Sequence, residues 1–148
     1  MNAKTQAVPP PLPKADSSGE VKIDAETDIV AVRRAVRDAA SQLGFGVTDL
    51  TRVITAASEL ARNVYKYAGS GLMTWKALHN GEAYGIELRF EDHGPGIANV
   101  EQAMGEGYST GGGLGLGLPG ARKLMDELDI SSVAGQGTTV TVRRWRHV

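Results

Sequence analysis

The chain has 148 residues, no cysteine, and 16 Lys plus Arg against 17 Asp plus Glu. That length fits one domain with a real core. The charge balance gives no bulk positive field to recruit nucleic acid or an anionic membrane, and the lack of cysteine excludes a disulfide framework, a thiolate nucleophile and a Cys-ligated metal. No segment reaches the ~18 apolar residues of a membrane span and no signal-peptide pattern opens the chain, so a cytoplasmic protein without membrane attachment is the expectation.

Residues 1–18 contain Pro9, Pro10, Pro11 and Pro13 among Lys, Ser and Asp, a composition that neither pairs in a sheet nor propagates a helix. They read as a disordered tail, leaving 19–148 as the domain. Near Glu20, Val21 and Ile23 alternate with Lys22 and Asp24 as in a short half-buried strand. Ile29, Val32, Ala35, Val36, Ala39 and Ala40 then recur at helical spacing until Gly44 and Gly46 stop the element. Arg33, Arg34 and Arg37 occupy another face of that helix, which reads as a solvated surface or a docking surface.

Thr48 or Asp49 is placed to cap a second helix, running to about Tyr67, with an apolar stripe of Val53, Ile54, Ala57, Leu60, Ala61 and Val64. Glu59, Arg62, Asn63 and Lys66 sit three, four and seven apart and so share one face beside that stripe. Alone, this face reads as a solvated one with a Glu59–Arg62 or Glu59–Asn63 pair. From Gly71 the period becomes two: Leu72 to Leu78, a turn at His79-Asn80-Gly81, then Tyr84 to Glu91, an antiparallel hairpin. The second strand enters Asp92-His93-Gly94-Pro95-Gly96, a tight turn with a carboxylate at its head. Asp92 can accept from a ligand amino group, or simply bond its own turn backbone.

Gly105, Gly107, Gly111 and Gly112, with Tyr108, Ser109 and Thr110 among them, suit a lid able to close over phosphates. Gly113-Leu-Gly115-Leu-Gly117-Leu-Pro119 leads into a helix predicted over 120–128, whose N-terminal amides suit an anion. A Rossmann reading lacks the required strand before the glycines, and a Walker loop lacks its Gly-Lys-Ser/Thr. Asp129 to Val133 and Thr138 to Trp145 close the chain as two strands joined by Ala134-Gly-Gln-Gly137, giving a mixed sheet under helices. His79, His93 and His147 sit poorly for phosphotransfer, and the tryptophans and tyrosines read as core or edge packing.

Glu59-Leu-Ala-Arg-Asn63, Asp92-His-Gly94-Pro-Gly96, Gly113-Leu-Gly115-Leu-Gly117 and Gly135-Gln-Gly137-Thr138, in that order, resemble the N, G1, G2 and G3 boxes of GHKL ATPases over about Val21 to Trp145. Within that superfamily the chain resembles the small bacterial serine/threonine kinases of the anti-sigma and stressosome group, in particular the RsbT-type switch kinases. The resemblance implies an α/β, two-layer Bergerat sandwich with a mixed β-sheet covered on one face by helices and a glycine-rich ATP lid. It implies Mg-ATP as cofactor and phosphorylation of Ser or Thr on a STAS-domain antagonist or scaffold protein in partner switching.

By the same resemblance Glu59 is the general base and Asn63 the magnesium ligand. Asp92 accepts the adenine amino group, Gly94 and Gly96 let the backbone approach the base, and Thr138 supports that end. Gly113, Gly115 and Gly117 present amides to the phosphates under a lid carrying Ser109 and Thr110, with Arg62 and Lys66 set for phosphate or partner contacts. The alternative is an anti-sigma factor that sequesters a sigma factor with ATP-dependent partner choice. A phosphatase or sigma factor is a further partner of either reading, and the chain is expected as a monomer or weak homodimer.

Overall fold

The computed structural model describes residues 17–97 and 117–146. The proline-rich stretch up to residue 16 and the lid glycines and hydroxyls, including Ser109, Thr110, Gly113 and Gly115, lie outside the described residues. The elements in chain order are β1 (Ser18–Ile23), α1 (Asp28–Gln42), α2 (Val47–Ala68), β2 (Gly71–Asn80), β3 (Ala83–Asp92), α3 (Gly117–Leu124), β4 (Glu127–Val133) and β5 (Gly137–Trp145). Five strands form one sheet in the order β1-β2-β3-β5-β4, and the helices cover one face of it, the expected two-layer α/β sandwich.

Every pairing is antiparallel, which corrects the mixed sheet expected from the resemblance. The crossover through α3 does bring β4 back in the direction of β3. Because β5 then folds back between them, the two like-directed strands never pair.

Two helix ends show why the elements stop where they do. Leu43 caps α1, Gly44 takes φ 85°, and the amides of Gly44 and Phe45 bond the carbonyls of Ser41 and Ala40. That is a Schellman closure, with Phe45 buried beside it. At the end of α2, Gly69 takes φ 82° and donates to the Tyr65 carbonyl. The cap assignments for Thr48 and Asp49 are corrected: Gly46 is the N-cap and no side chain caps the helix. Asp49 instead sits in the first turn and binds Arg144 at 2.7 Å.

The hairpin turn also moves. Asn80 pairs with Ala83, so Gly81 and Glu82 form the two-residue loop, with φ 63° at Gly81. His79 is therefore a strand residue, opposite Tyr84 and stacked on its ring at 4.6 Å. The last helix ends four residues earlier than its pattern predicts, because tertiary pairing overrides local propensity. The Asp126 amide bonds the Arg143 carbonyl, its carboxylate accepts from the Trp145 amide, and Leu128 is drawn into β4 opposite Val142. At the other end of the chain, strand pairing begins early: β1 starts at Ser18 and the Ser17 carbonyl accepts from Ala77.

Since side chains alternate across a strand, the antiparallel register stacks the helix-facing residues in rows. Val21, Met73, Phe90, Val140 and Ile130 form one row across all five strands, and Gly19, Trp75, Leu88, Val142 and Leu128 the next. Ile23, Met73, Ile86, Leu88, Phe90 and Val142 in these and adjoining rows are 0–2% exposed. They meet Ile29, Val32, Val36 and Ala40 of α1 and Val53, Ala57, Leu60, Ala61 and Val64 of α2, so the apolar stripes read from the sequence are the core. The indole of Trp75 lies over Gly19, where a Cβ would come within 2.5 Å of Nε1. Tyr65 and Tyr67 depart from the packing expectation and stand on the surface of α2.

The opposite sheet face is charged. Arg143 at its centre contacts Glu127, Asp129 and Glu87 at 3.1, 3.4 and 3.7 Å. Partial burial disfavours its charge, but the hydrogen bonds and field of Glu127, Glu87 and Asp129 outweigh that and raise its pKa above the ordinary guanidinium value. Arg33, Arg34 and Arg37 of α1 are exposed and pair with no described residue.

One ion pair crosses the two layers. Arg144 on β5 binds Asp49 of α2 at 2.7 Å and Asp126 at 3.3 Å, and donates to the Leu124 carbonyl at the end of α3. The Arg144 and Asp49 side chains are only 12% and 17% exposed. Arg144→Met strands the Asp49 carboxylate in that setting and is expected to cost about 2–3 kcal/mol, less than a fully buried pair. An unfolding free energy from urea titration that stays within about 0.5 kcal/mol of wild type would mean the pair is no better than a surface one.

Candidate functional site

The two rows just described are apolar, and the rows beyond them at each end bring in polar side chains. At one end stand Ile86 and Arg144, opposite each other in β3 and β5. At the other, Asp92, Thr138 and Ser132 stand abreast on β3, β5 and β4. The core ends there, and a polar row half-sheltered by helices is what a ligand with both apolar and polar edges requires.

Asp92 is fixed by backbone donors. Its Oδ1 accepts from the Gly94 amide at 2.9 Å and the Thr138 amide at 3.3 Å. The turn-residue role is thus filled through Oδ1, and among the described residues no donor reaches Oδ2. The loop after Asp92 folds back on the β4–β5 turn through the Gly135 amide, which donates to the Pro95 carbonyl at 2.7 Å, and the Ile97 amide, which donates to Ser132 Oγ at 2.6 Å. Ser132 Oγ also lies 2.9 Å from Thr138 Oγ1. Ser132 went unremarked in the motifs. Its signal was the alternation Leu128, Ile130, Ser132, in which an inward-facing position turns polar.

The glycines here are steric necessities. Gly94 passes so close to α2 that a Cβ would lie 2.6 Å from that of Ala68. Gly96 takes φ 74°, and a Cβ there would collide with the Val133 carbonyl. Gly137 takes φ 133° with its missing side chain aimed at the Asp92 carbonyl.

Asn63 is half-buried on α2, and no described residue hydrogen-bonds its amide. A Cβ on Gly117, the first residue of α3, would stand 3.6 Å from Asn63 Nδ2. The helix start predicted to offer amides therefore faces Asn63, and Ala121 at 0% and Met125 at 5% exposure anchor that end of the chain in the core. One turn before Asn63, Glu59 is 20% exposed and its Oε2 receives Arg62 Nη1 at 2.8 Å, leaving Oε1 without a described partner. Arg62 is half exposed, so the pair orients Glu59 more than it stabilises the fold. Arg62 and Lys66 line a groove of about 740 Å³ with Tyr65 of α2, with Gly69 at its C-terminal end and with Asp24 and Glu26 after β1, and Lys66 also lies over the Tyr67 ring at 5.2 Å.

A carboxylate acceptor at the end of β3, glycine-walled turns, and a helix N-terminus beside the Asn63 amide are the kinds of group a nucleotide site uses. Comparison with known proteins agrees with it: residues 48–147 match the family of histidine kinase-, DNA gyrase B- and HSP90-like ATPases. The chain belongs to this ATPase family. It is 47% identical over 125 residues to the serine/threonine-protein kinase RsbT of Bacillus subtilis strain 168, covering 84% of this chain and 94% of that protein. It is 31% identical over 119 residues to an anti-sigma F factor of Thermoanaerobacter sp. strain X514, covering 76% and 82%. A solved structure of the RsbU and RsbW domains of Rv1364c from Mycobacterium tuberculosis superposes with TM-score 0.64 at 17% identity, over 89% of this chain and 33% of that longer one. At that identity the likeness is one of fold. ATP binding follows from the family.

The close approach at Gly96 gives a direct test. Gly96→Ala adds a side chain at a positive φ against a backbone carbonyl and is expected to lower unfolding stability by about 1–3 kcal/mol. Gly135→Ala, also at positive φ but with open space around its Cβ position, is expected to cost the lesser part of that range. Equal thermal midpoints for the two variants would contradict the assigned contact.

Proposed function

We propose that the chain is an ATP-dependent protein serine/threonine kinase that phosphorylates a Ser or Thr on a STAS-domain antagonist or scaffold protein in a cytoplasmic, stressosome-like partner-switching pathway. The observation that carries this reading is Asn63, a half-buried amide that no described residue bonds, facing the start of α3, one helical turn from a Glu59 oxygen without a described partner. The 47% identity to a protein named as a serine/threonine kinase supports it.

Phosphoryl transfer asks a protein for position and charge compensation more than for covalent chemistry. The substrate hydroxyl oxygen bonds to the γ-phosphorus, the bond to the β,γ-bridging oxygen breaks and ADP leaves, and the hydroxyl proton passes to Glu59. Arg62 holds one Glu59 oxygen and so aims the other. Asp92 Oδ2 accepts the adenine amino group, Thr138 lies beside it, and Gly94 and Gly96 leave room for the base. Gly117 presents its amide end of α3 to the phosphates, with Gly113, Gly115, Ser109 and Thr110 proposed as further contacts.

Magnesium fits the donors present. No group of three or more His, Cys, Asp or Glu side chains able to hold a metal occurs among the described residues, whereas Mg²⁺ in such sites takes one or two protein oxygens, water and substrate phosphates. Asn63 Oδ1 would hold it, and it would neutralise phosphate charge. The groove carrying Arg62 and Lys66 suits a protein partner more than a phosphate, since Asp24 and Glu26 form part of its lining.

A second reading has its own support in the 31% identity to anti-sigma F factors: a binding protein that sequesters a sigma factor with ATP-dependent partner choice. Incubation of a STAS-domain protein with Mg-ATP and this protein is expected to add one phosphate by intact-mass spectrometry. Glu59→Gln should slow the transfer at least about 100-fold while ATP affinity stays within about twofold, as loss of a general base predicts. ATP binding without transfer, together with capture of a sigma subunit, would favour the second reading.

A further inference from the structure

Ser132 makes more contacts than its single hydrogen can serve as donor. Its Oγ receives the Ile97 amide at 2.6 Å, lies 2.9 Å from Thr138 Oγ1 and lies 3.2 Å from the Gly137 carbonyl. A hydroxyl has one hydrogen and two lone pairs, which leaves two arrangements. If Ser132 donates to Thr138, the Gly137 contact is a meeting of two acceptors, and the Thr138 hydrogen remains for a ligand. If Ser132 donates to the Gly137 carbonyl, its lone pairs take the Ile97 amide and the Thr138 hydroxyl, and all three contacts are hydrogen bonds.

Only the second arrangement satisfies the whole cluster, and half-buried polar groups settle where their bonding is complete. We infer that Ser132 locks the Thr138 hydroxyl hydrogen away from the ligand, so that Thr138 Oγ1 and Asp92 Oδ2 present a purely accepting edge, and that Ser132 is thereby the residue that sets purine specificity. The inference rests on the reading of this row as the adenine end of the nucleotide site. The adenine exocyclic amino group carries two hydrogens where guanine carries a carbonyl oxygen, so two acceptors that converge on that group admit the first and repel the second. Ser132 is a positioning residue: it acts through Thr138, its partner across the β4–β5 register. Through the Ile97 amide it also ties the loop after Asp92 to the same lock.

The test is the ratio of ATP to GTP affinity, measured as dissociation constants by isothermal titration for wild type, Ser132→Ala, Thr138→Val and the double variant. Ser132→Ala frees the Thr138 hydrogen to turn toward a guanine carbonyl and is expected to reduce the ATP preference about tenfold, the worth of one ordinary hydrogen bond. On the Thr138→Val background the same change should alter the ratio less than about twofold, because the group it acts through is gone. Ser132→Cys, which keeps nearly the same volume with a weak donor and acceptor, should behave as Ser132→Ala and serves if the alanine variant does not fold.

Equal weakening of ATP and GTP would overturn the inference, since a residue that merely supports the turn lowers both. Additive effects of the two substitutions on the ratio would also overturn it. A wild-type protein that binds neither nucleotide would instead overturn the nucleotide reading beneath it.

Discussion

The antiparallel register of β3, β5 and β4 is the constraint on which the rest depends. It sets inward-facing residues abreast, so that a change from apolar to polar at one position of each strand appears as a row rather than as scattered side chains. Leu88, Val142 and Leu128, then Phe90, Val140 and Ile130, are apolar; the next step gives Asp92, Thr138 and Ser132 together. A slip of one residue between β3 and β5 would turn Thr138 away from the Asp92 row and bring Thr141 or Arg143 inward in place of Val142. Burial of the apolar rows under α1 and α2 thus fixes the site without any separate assembly step.

The helices complete what the sheet begins. α2 uses one face for the core and an adjoining strip for Glu59 and Asn63, which explains why both are half-buried yet reachable. α3 brings its first residue against Asn63 because Ala121 and Met125 pin it to the core and because Arg144 fastens both its C-terminal end and the start of α2 to β5. The same strand therefore carries Thr138 at the site and the clamp that holds the helices about the far end of the core. Stability and site geometry share one element, and the polar rows at its two ends do different work.

Much of this was legible in the sequence. The stripes of α1 and α2 gave the core faces, the alternation in β2 and β3 gave the hairpin, and Gly94, Gly96 and Gly137 of the glycine motifs prove to have no room for a Cβ. What the sequence concealed was long-range. Asp49 looked like a cap because caps are local, whereas its partner Arg144 is 95 residues away. The helix pattern through Leu128 was sound in itself, but Asp126 and Leu128 are claimed by β5. Ser132 was hidden because serine in a strand is unremarkable until its neighbours across the sheet are known. Helical spacing places Arg62 and Lys66 on α2 but could not show that the turn after β1 makes a groove with them.

The central claim is that the Asp92, Thr138 and Ser132 row and the start of α3 bind opposite ends of one nucleotide. Backbone amide chemical shifts during titration of the ¹⁵N-labelled protein with Mg-ATP test it most directly. The account predicts saturable shifts at Gly94, Thr138 and Gly117 with one shared dissociation constant. Shifts confined to the groove of Asp24, Glu26, Tyr65 and Lys66, with Gly94 and Thr138 unmoved, would contradict it.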